Sequence, residues 1–260
     1  MSFLDEIVKG KIDKPRKTML YGEDSTGKVL LASRADKPLF LATNKNNSDL
    51  ECERLFIKDF PHMMETLKNF YVENKKTFKT IVISTLTSLD RMIAEDVVIN
   101  YNKSIKDKPN KEEVNSFQKI PVGNGWGDLK KSWLRFTNAI DTIIDQDIKI
   151  VMIADGGLHK IDSPNPDVSR HEVIAPSILR TVYEEILEGW CDEVLYFSYE
   201  FFIKEGKTMF DKDKYTGSGN VVIMTQKRPF QQAKNGLGLE YKIRFDKKNC
   251  EPLLKALRLK

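Results

Sequence analysis

Four short apolar runs constrain the fold of this chain more than any other feature of its sequence. They are TMLYG (18–22), PLFLAT (38–43), TIVIS (80–84) and IKIVMIAD (148–155), and they are rich in β-branched and aromatic residues. Each run is nearly continuous, whereas a strand with one face in water alternates between apolar and polar residues. The runs therefore predict buried parallel strands in the interior of a sheet.

The stretches between these runs predict amphipathic helices. In residues 128–146, apolar side chains recur at steps of three and four with charges opposite, and residues 61–74 and 175–190 show the same pattern. Strands that alternate with helices predict an α/β fold around a mostly parallel central sheet. The apolar runs from about residue 192 onward are joined by short turns such as TGSGN (216–220), and they predict an antiparallel extension of that sheet.

A single domain covering residues 1–260 is expected, because the chain shows neither an internal repeat nor a linker. Its length is sufficient for a sizeable core. Two polar segments, 102–127 and 156–173, are predicted to be loops. The second follows a strand directly, and open α/β sheets bind ligands in loops at the carboxyl ends of strands.

Charge and cysteine content narrow the classes of function. The chain has 42 basic and 38 acidic side chains, so its net charge of +4 gives no global sign of nucleic-acid binding, and any such site must be a local patch. Its three cysteines have no metal-binding spacing, which favours reduced thiols. No apolar run approaches the roughly 20 residues of a membrane span, and the N-terminal residues are charged throughout. A cytoplasmic location without a membrane partner is expected.

The stretch YGEDSTGKV (21–29) predicts a phosphate-binding loop. Gly22, Gly27 and Lys28 have the spacing G-x-x-x-x-G-K, with a predicted strand directly before them and a predicted helix directly after. In such loops the backbone N–H groups and the helix N-terminus point at phosphate, and the lysine reaches the terminal phosphates. A plain strand-to-helix turn is the alternative. The predicted nucleotide-binding residues are Gly22, Glu23, Asp24, Ser25, Thr26, Gly27, Lys28 and Val29.

Over nearly its whole length the chain resembles the RecA-like P-loop ATP-binding proteins of bacteriophages and prophages, which are related to the phage single-strand annealing recombinases. The resemblance implies ATP binding, a role in ATP-dependent handling of single-stranded DNA, and assembly with further copies of the chain. It rests on the segments RKTMLYG (16–22), PLFLATN (38–44), FKTIVISTLTSLDRMI (78–93), GNGWGDLKKSWLRF (123–136), IKIVMIAD (148–155), 190–204 and 225–239.

Four positions at which that family has functional groups hold other residues in this chain. The family has a Ser or Thr hydroxyl that ligates Mg²⁺ where this chain has Val29, and an Asp that orders the magnesium's water shell where it has Ser84. Asn44 stands at the position of an acidic residue that polarises the attacking water. Asp155 stands where the family has a His able to sense the terminal phosphate. The catalytic residues are therefore left unassigned: the family's catalytic positions fall on Asn44, Ser84 and Asp155, and none of these keeps the family's group.

Further changes lie in the loop itself, where Glu23 and Asp24 place two negative charges near the expected phosphates. Oxygen atoms that could substitute for the missing ones belong to Ser25, Thr26, Thr85 and Asp90. Phosphoryl transfer depends on positioning and charge stabilisation around magnesium, so the changes argue against Mg²⁺ binding and hydrolysis. Lys28 can still hold the phosphates of ATP as a point charge, or it is an ordinary solvated lysine capped against Glu23 or Asp24. The alternative is a catalytically silent relative that acts as a scaffold for DNA or protein.

Two basic patches are candidate interaction surfaces, with ordinary solvated surface as the alternative for both. An aromatic side chain beside basic ones suits stacking and phosphate contacts with single-stranded DNA. The DNA-binding candidates are Trp126, Lys130, Lys131 and Arg135, whereas Trp133 is predicted to be a core residue. In RecA-like rings the segment KRPFQQAK (227–234) can reach a neighbour's nucleotide, so Arg228 and Lys234 are candidate contacts between subunits. A basic residue that the family has nearby is replaced by Gly236.

Two histidines and three aspartates lie in, or directly before, the second predicted loop. His159 and His171 lie there with Asp155, Asp162 and Asp167, which leaves open a metal or acid–base cluster and simple surface polarity. None of the histidines has zinc spacing, and no metal site is predicted. Cys191 is predicted to be a core residue rather than a reactive thiol.

Overall fold

The computed structural model describes residues 7–10, 14–45, 50–74, 77–106, 108, 112–121, 125–162, 170–204 and 214–260. Through these residues runs one large sheet with the strand order β10-β8-β7-β1-β5-β4-β2-β3, in which β6 also pairs with β5 and β9 with β7. The strands are β1 Lys17–Gly22, β2 Pro38–Ala42, β3 Glu53–Phe56, β4 Thr80–Ser84, β5 Lys149–Asp162, β6 Arg170–Pro176, β7 Glu193–Lys204, β8 Lys214–Met224, β9 Lys234–Asn235 and β10 Lys242–Phe245.

The predicted parallel strands are confirmed. β1 and β4 both pair with β5 in parallel, and β2 pairs in parallel with β4. The predicted antiparallel extension begins one strand later than expected, because β7 pairs in parallel with β1 while β8 pairs antiparallel with β7. A helical segment precedes β7 and supplies the crossover that a parallel strand requires. The α/β fold with a mostly parallel sheet and antiparallel C-terminal strands is thus confirmed.

Helices cover both faces of the sheet. One core cluster joins the sheet to α2 (Phe60–Glu73), α3 (Leu86–Ile105) and α4 (Trp126–Ile144). The other joins it to α1 (Lys28–Ser33) and α7 (Glu251–Ala256). The remaining helical pieces are a 3₁₀ turn at Phe117–Lys119, α5 at Arg180–Val182, a π-helical turn at Tyr183–Leu187 and α6 at Glu188–Trp190.

The predicted helices over 61–74 and 128–146 are confirmed as α2 and α4. The apolar stripe of α4 is buried along its length, and Trp133 is fully buried as predicted. The helix predicted over 175–190 starts later, at Arg180, because residues 175 and 176 belong to β6. None of the helices in the described ranges is long and apolar enough to cross a membrane.

Two predictions about connecting segments were wrong. Most of the predicted loop 156–173 is an antiparallel hairpin in which β5 pairs with β6 from Gly156↔Pro176 to Asp162↔Arg170. The predicted turn 216–220 is part of β8, where residues 216 and 217 pair with the end of β7. Glycine and polar residues made both segments look irregular, but pairing with a neighbouring strand overrides weak local β-propensity.

The other predicted loop, 102–127, is only partly one. Helix α3 continues to Ile105, and α4 already begins at Trp126. The glycine-rich part at 122–124 lies outside the described residues. The single-domain organisation stays a prediction.

Candidate nucleotide-binding site

The loop of residues 22–29 lies at the carboxyl ends of the central strands. β1 ends at Gly22, which stands between Asp155 of β5 and Phe197 of β7. Helix α1 begins at Lys28, directly after the loop. The strand–loop–helix arrangement predicted from the sequence is therefore present, at the sheet edge where open α/β folds bind ligands.

Glycine is required at both ends of this loop. Gly22 has φ +131°, and a Cβ there would lie 2.0 Å from the carbonyl oxygen of Phe197. Gly27 has φ +97°, and a Cβ there would lie 2.7 Å from a ring carbon of Phe245. The spacing of the two glycines thus reflects a close approach of the loop to β7 and β10.

The ammonium of Lys28 lies inside the loop and is not solvated. Its Nζ donates to the carbonyl oxygens of Gly22 (2.8 Å) and Glu23 (2.5 Å), and the residue is 5% exposed. Burial lowers the pKa of Lys28, while the charges of Asp24, Asp155 and Glu23 act in the opposite direction. Lys28 is therefore not a solvated surface lysine capped by the carboxylate of Glu23 or Asp24, because it is buried and its ammonium donates to backbone carbonyls.

The hydroxyl groups that could substitute for the missing magnesium ligands make contacts within the fold. Thr26 is fully buried, and its Oγ1 donates to the carbonyl oxygen of Glu23 at 2.7 Å. Thr85 caps the N-terminus of α3, where its Oγ1 accepts from the Ser88 N–H at 3.2 Å. The Thr85 N–H in turn donates to Oγ1 of Thr43 at 2.7 Å.

Asp90 is a buried structural carboxylate. Its Oδ1 accepts from Nε1 of Trp133 (3.2 Å) and its Oδ2 from the Leu179 N–H (3.0 Å), so it joins α3 to α4 and to the start of α5. Burial raises the pKa of Asp90. Asp90 lies in the second turn of α3. The family's acid would stand earlier in the chain, at the end of β4.

The residues at the magnesium positions do not fit that ion. Val29 brings no oxygen and packs half-buried against the core. Ser84 is 5% exposed and brings no charge to the end of β4. Asn44 and Asp155 are half-buried, and the Asp155 N–H donates to Oγ1 of Thr87 at 3.0 Å. Within the described part of the chain, no group of three or more His, Cys, Asp or Glu side chains could hold a metal ion.

Two side chains that the sequence did not predict hold the loop from outside. Tyr199 Oη (3.2 Å) and Lys247 Nζ (2.6 Å) both donate to the carbonyl oxygen of Ser25, which has φ +57°. The guanidinium of Arg34 donates to the Lys247 carbonyl at 3.1 Å and links this contact to the end of α1. Lys247 stands 222 residues after Ser25, so no local pattern predicts their contact.

The DNA-binding candidates lie on the N-terminal half of α4. Trp126 is 42% exposed and stands edge-on to Phe117, with ring centroids 5.2 Å apart. Lys130 pairs with Glu185, and Lys131 pairs with Asp128 at 3.1 Å. Arg135 is exposed one turn further on. In parallel α/β units a helix starts at the carboxyl edge of the sheet, so α4 presents Trp126 on the same edge as the loop 22–29.

The two subunit-contact candidates differ in accessibility. Arg228 is exposed, with its guanidinium 4.3 Å from the ring centre of Tyr241. Lys234 donates to the backbone carbonyls of Glu188 (3.1 Å), Gly189 (3.0 Å) and Cys191 (2.6 Å), so it closes the end of the helical segment before β7.

A side chain at Gly236, where the resemblance places a basic residue, would meet the guanidinium of Arg16. A Cβ at Gly236 would lie 2.7 Å from Nη2 of Arg16. Arg16 forms an ion pair with Glu193, which is fully buried. A larger residue at 236 would disturb this pair.

His159 and His171 lie on the paired strands β5 and β6, and Asp167 lies outside the described residues. Cys191 is buried as predicted, and burial raises the pKa of its thiol.

Comparison with known proteins gives one family match. A family model for the AAA domain matches residues 14–237. No match to this chain was found among the curated proteins. Among solved structures, the crystal structure of the RadB recombinase is similar, with a TM-score of 0.46 and 13% identity over 90% of this chain and 90% of that chain.

Proposed function

Because the chain belongs to the AAA domain family, with 224 of its residues (14–237) matched, we propose that it is a phage-type RecA-like P-loop protein that binds ATP and single-stranded DNA. ATP binds at the loop 22–29, and hydrolysis of the bound ATP is impaired. Further copies of the chain assemble with it, and Arg228 is the more accessible candidate for contact with a neighbour's nucleotide.

The position of Lys28 supports nucleotide binding. Its ammonium is held at the start of α1 by two loop carbonyls, where a helix N-terminus adds positive potential for a phosphate. Binding of a phosphate exchanges contacts of the ammonium with neutral carbonyls for an ion pair with a group of opposite charge, which attracts the ammonium more strongly.

Three substitutions support impaired hydrolysis. Val29 cannot ligate Mg²⁺, Ser84 does not bring the acid that orders the ion's water, and Asn44 is a poor base for the attacking water. These three residues therefore supply none of the groups that ATP hydrolysis requires at their positions.

The test is a titration of ATP, with and without Mg²⁺, monitored by the thermal unfolding midpoint. A ligand that binds only the folded state at about 100 times its Kd stabilises it by about 2.7 kcal/mol, so the midpoint rises with ATP concentration. The rise is expected without Mg²⁺ and is expected to disappear in Lys28→Ala. Absence of any rise up to millimolar ATP in the parent protein would overturn the proposal.

Two further variants make this test specific. Lys28→Met keeps most of the buried side-chain volume, so its own midpoint without ATP shows whether loss of packing is responsible. Lys68→Ala removes an exposed lysine on α2 and is expected to keep the full response to ATP.

The second candidate is a catalytically silent scaffold that binds neither magnesium nor nucleotide. Exposed Glu23 and Asp24 favour it, because carboxylates beside the phosphate position repel a triphosphate. DNA or protein binding that is unchanged by ATP, together with no thermal response to ATP, would decide for this candidate.

A further inference from the structure

A recess of about 490 Å³ lies on the α3 and α4 side of the sheet, away from the side on which α1 packs. Its wall is formed by the start of α3, the first part of the β5–β6 hairpin and the residues leading into α5. Four basic side chains line it: Arg91, His159, Lys160 and Arg180. Oγ1 of Thr87, which also lines it, accepts from the Asp155 N–H.

The two arginines are oriented but keep spare donors. Arg91 Nη2 donates to Oγ of Ser88 at 3.2 Å. Arg180 Nε donates to Glu184 at 2.9 Å, and its Nη1 donates to the Lys160 carbonyl at 2.6 Å. A guanidinium has five N–H groups, so these contacts fix its direction without using all of its donors.

Three carboxylates, of Asp90, Glu172 and Glu184, lie in or beside the recess, and each has a partner in the protein. Both carboxylate oxygens of Asp90 accept hydrogen bonds from the protein. Glu184 pairs with Arg180, and Glu172 stands 4.0 Å from Lys160. These carboxylates balance the charges of Arg91, Lys160 and Arg180, so the recess offers a ligand the unused N–H donors of its two guanidinium groups rather than an excess of positive charge.

We propose that this recess binds a phosphate group, held by Arg91 and Arg180 with Lys160 and His159 at its rim. Planar guanidinium groups match the geometry of phosphate oxygens, and Arg91 and Arg180 both line this recess. The phosphate belongs either to the backbone of single-stranded DNA or to a small phosphorylated molecule. This site is separate from the loop 22–29, and it does not require that loop to bind ATP.

The experiment uses the full chain carrying Lys28→Met, so that the loop lysine does not contribute to the signal. Binding of a labelled oligothymidylate is followed by fluorescence anisotropy at several salt concentrations, and binding of inorganic phosphate is followed by calorimetry. Arg91→Gln and Arg180→Gln are compared with Lys68→Gln, and Arg91→Lys keeps the charge while removing the planar fork. Unfolding midpoints without ligand show that each variant is folded.

Each arginine variant is expected to weaken binding about tenfold, because it removes a charge-assisted contact. If the phosphate belongs to single-stranded DNA, the variants lose affinity for the oligonucleotide. The slope of log K against log salt then falls by about 0.7 for each lost phosphate contact. A small-molecule source predicts the loss for inorganic phosphate. If folded Arg91→Gln and Arg180→Gln bind both probes as Lys68→Gln does, the proposal is wrong.

Discussion

Val29 occupies the helix position that directly follows the loop lysine, and its half-buried side chain packs against the core beside α1. Threonine differs from valine by one hydroxyl in place of a methyl, so Val29→Thr places an oxygen there with little change of shape. The substitution is nearly isosteric but not neutral, because the new hydroxyl has to be satisfied.

We expect Val29→Thr to make the ATP-induced rise of the unfolding midpoint larger in Mg²⁺ than in its absence. Adding Ser84→Asp supplies the acid at the end of β4 and is expected to raise ATP hydrolysis above that of the parent protein, at a rate that Asn44 still limits. The measurements are the midpoint with ATP, with and without Mg²⁺, and phosphate release over time.

Val29→Ile is the matched control, since it adds apolar volume without an oxygen and should leave the response to Mg²⁺ unchanged. Phosphate release by the parent protein that is as fast as release by the double variant would show that Val29 and Ser84 do not limit hydrolysis.

Single residues differ in how far the sequence could predict their surroundings. The spacing of Gly22, Gly27 and Lys28 is local, so the loop could be placed correctly from the sequence. The hydrogen bonds of Thr26 and Thr85, and the two donors on the Ser25 carbonyl, depend on the folded arrangement of distant segments. Local sequence patterns do not predict such contacts.

The C-terminal helix α7 supports the loop 22–29 through its packing against α1. Helix α1 has only six residues, too few to be stable by itself, and it shares a core cluster with buried leucines of the C-terminal segment. Leu257 is fully buried there, and the Asp36 N–H donates to the Leu259 carbonyl at 2.8 Å. The position of α1, and hence of Lys28, depends on this packing.

Leu257→Ala is expected to lower the free energy of unfolding by about 2–5 kcal/mol, because it removes buried methyl groups and leaves a cavity. Lys255→Ala, at an exposed site two residues earlier, is expected to change it by no more than about 0.5 kcal/mol. Urea unfolding of the two variants gives both values. A Leu257→Ala protein as stable as the parent would mean that the C-terminal segment is not part of the folded core.

Elements were predictable where their patterns were strong. The continuous runs of β1, β2, β4 and β5 and the apolar stripe of α4 are set by burial, so the sequence shows them directly. The hairpin of β5 and β6 was missed because its partly exposed strands have little apolar periodicity. The strand over 216–220 was missed because glycine and serine dominate it. In both cases the structure depends on backbone hydrogen bonds between strands, which do not require particular residue types.

Across the whole molecule, the loop 22–29 and the start of α4 lie at the same edge of the sheet because the central strands run in parallel, although α1 and α4 pack on opposite faces. The net charge of +4 is small for a protein of 260 residues, so overall attraction to DNA is weak. Affinity for a single strand then depends on local stacking and local cations. Trp126 is the exposed aromatic side chain that α4 offers at this edge.

Trp126→Ala is expected to weaken binding of a labelled oligothymidylate by about 1–3 kcal/mol, the usual worth of one base stacked on an aromatic ring. Leu134→Ala is the matched control, since Leu134 is 48% exposed on the same helix but cannot stack on a base. Fluorescence anisotropy at one fixed salt concentration measures both. The edge-on contact of Trp126 with Phe117 is worth at most about 1.5 kcal/mol, so the variant stays folded. If both variants lose affinity equally, stacking on Trp126 is not the source of binding, and the strand is held by phosphate contacts alone.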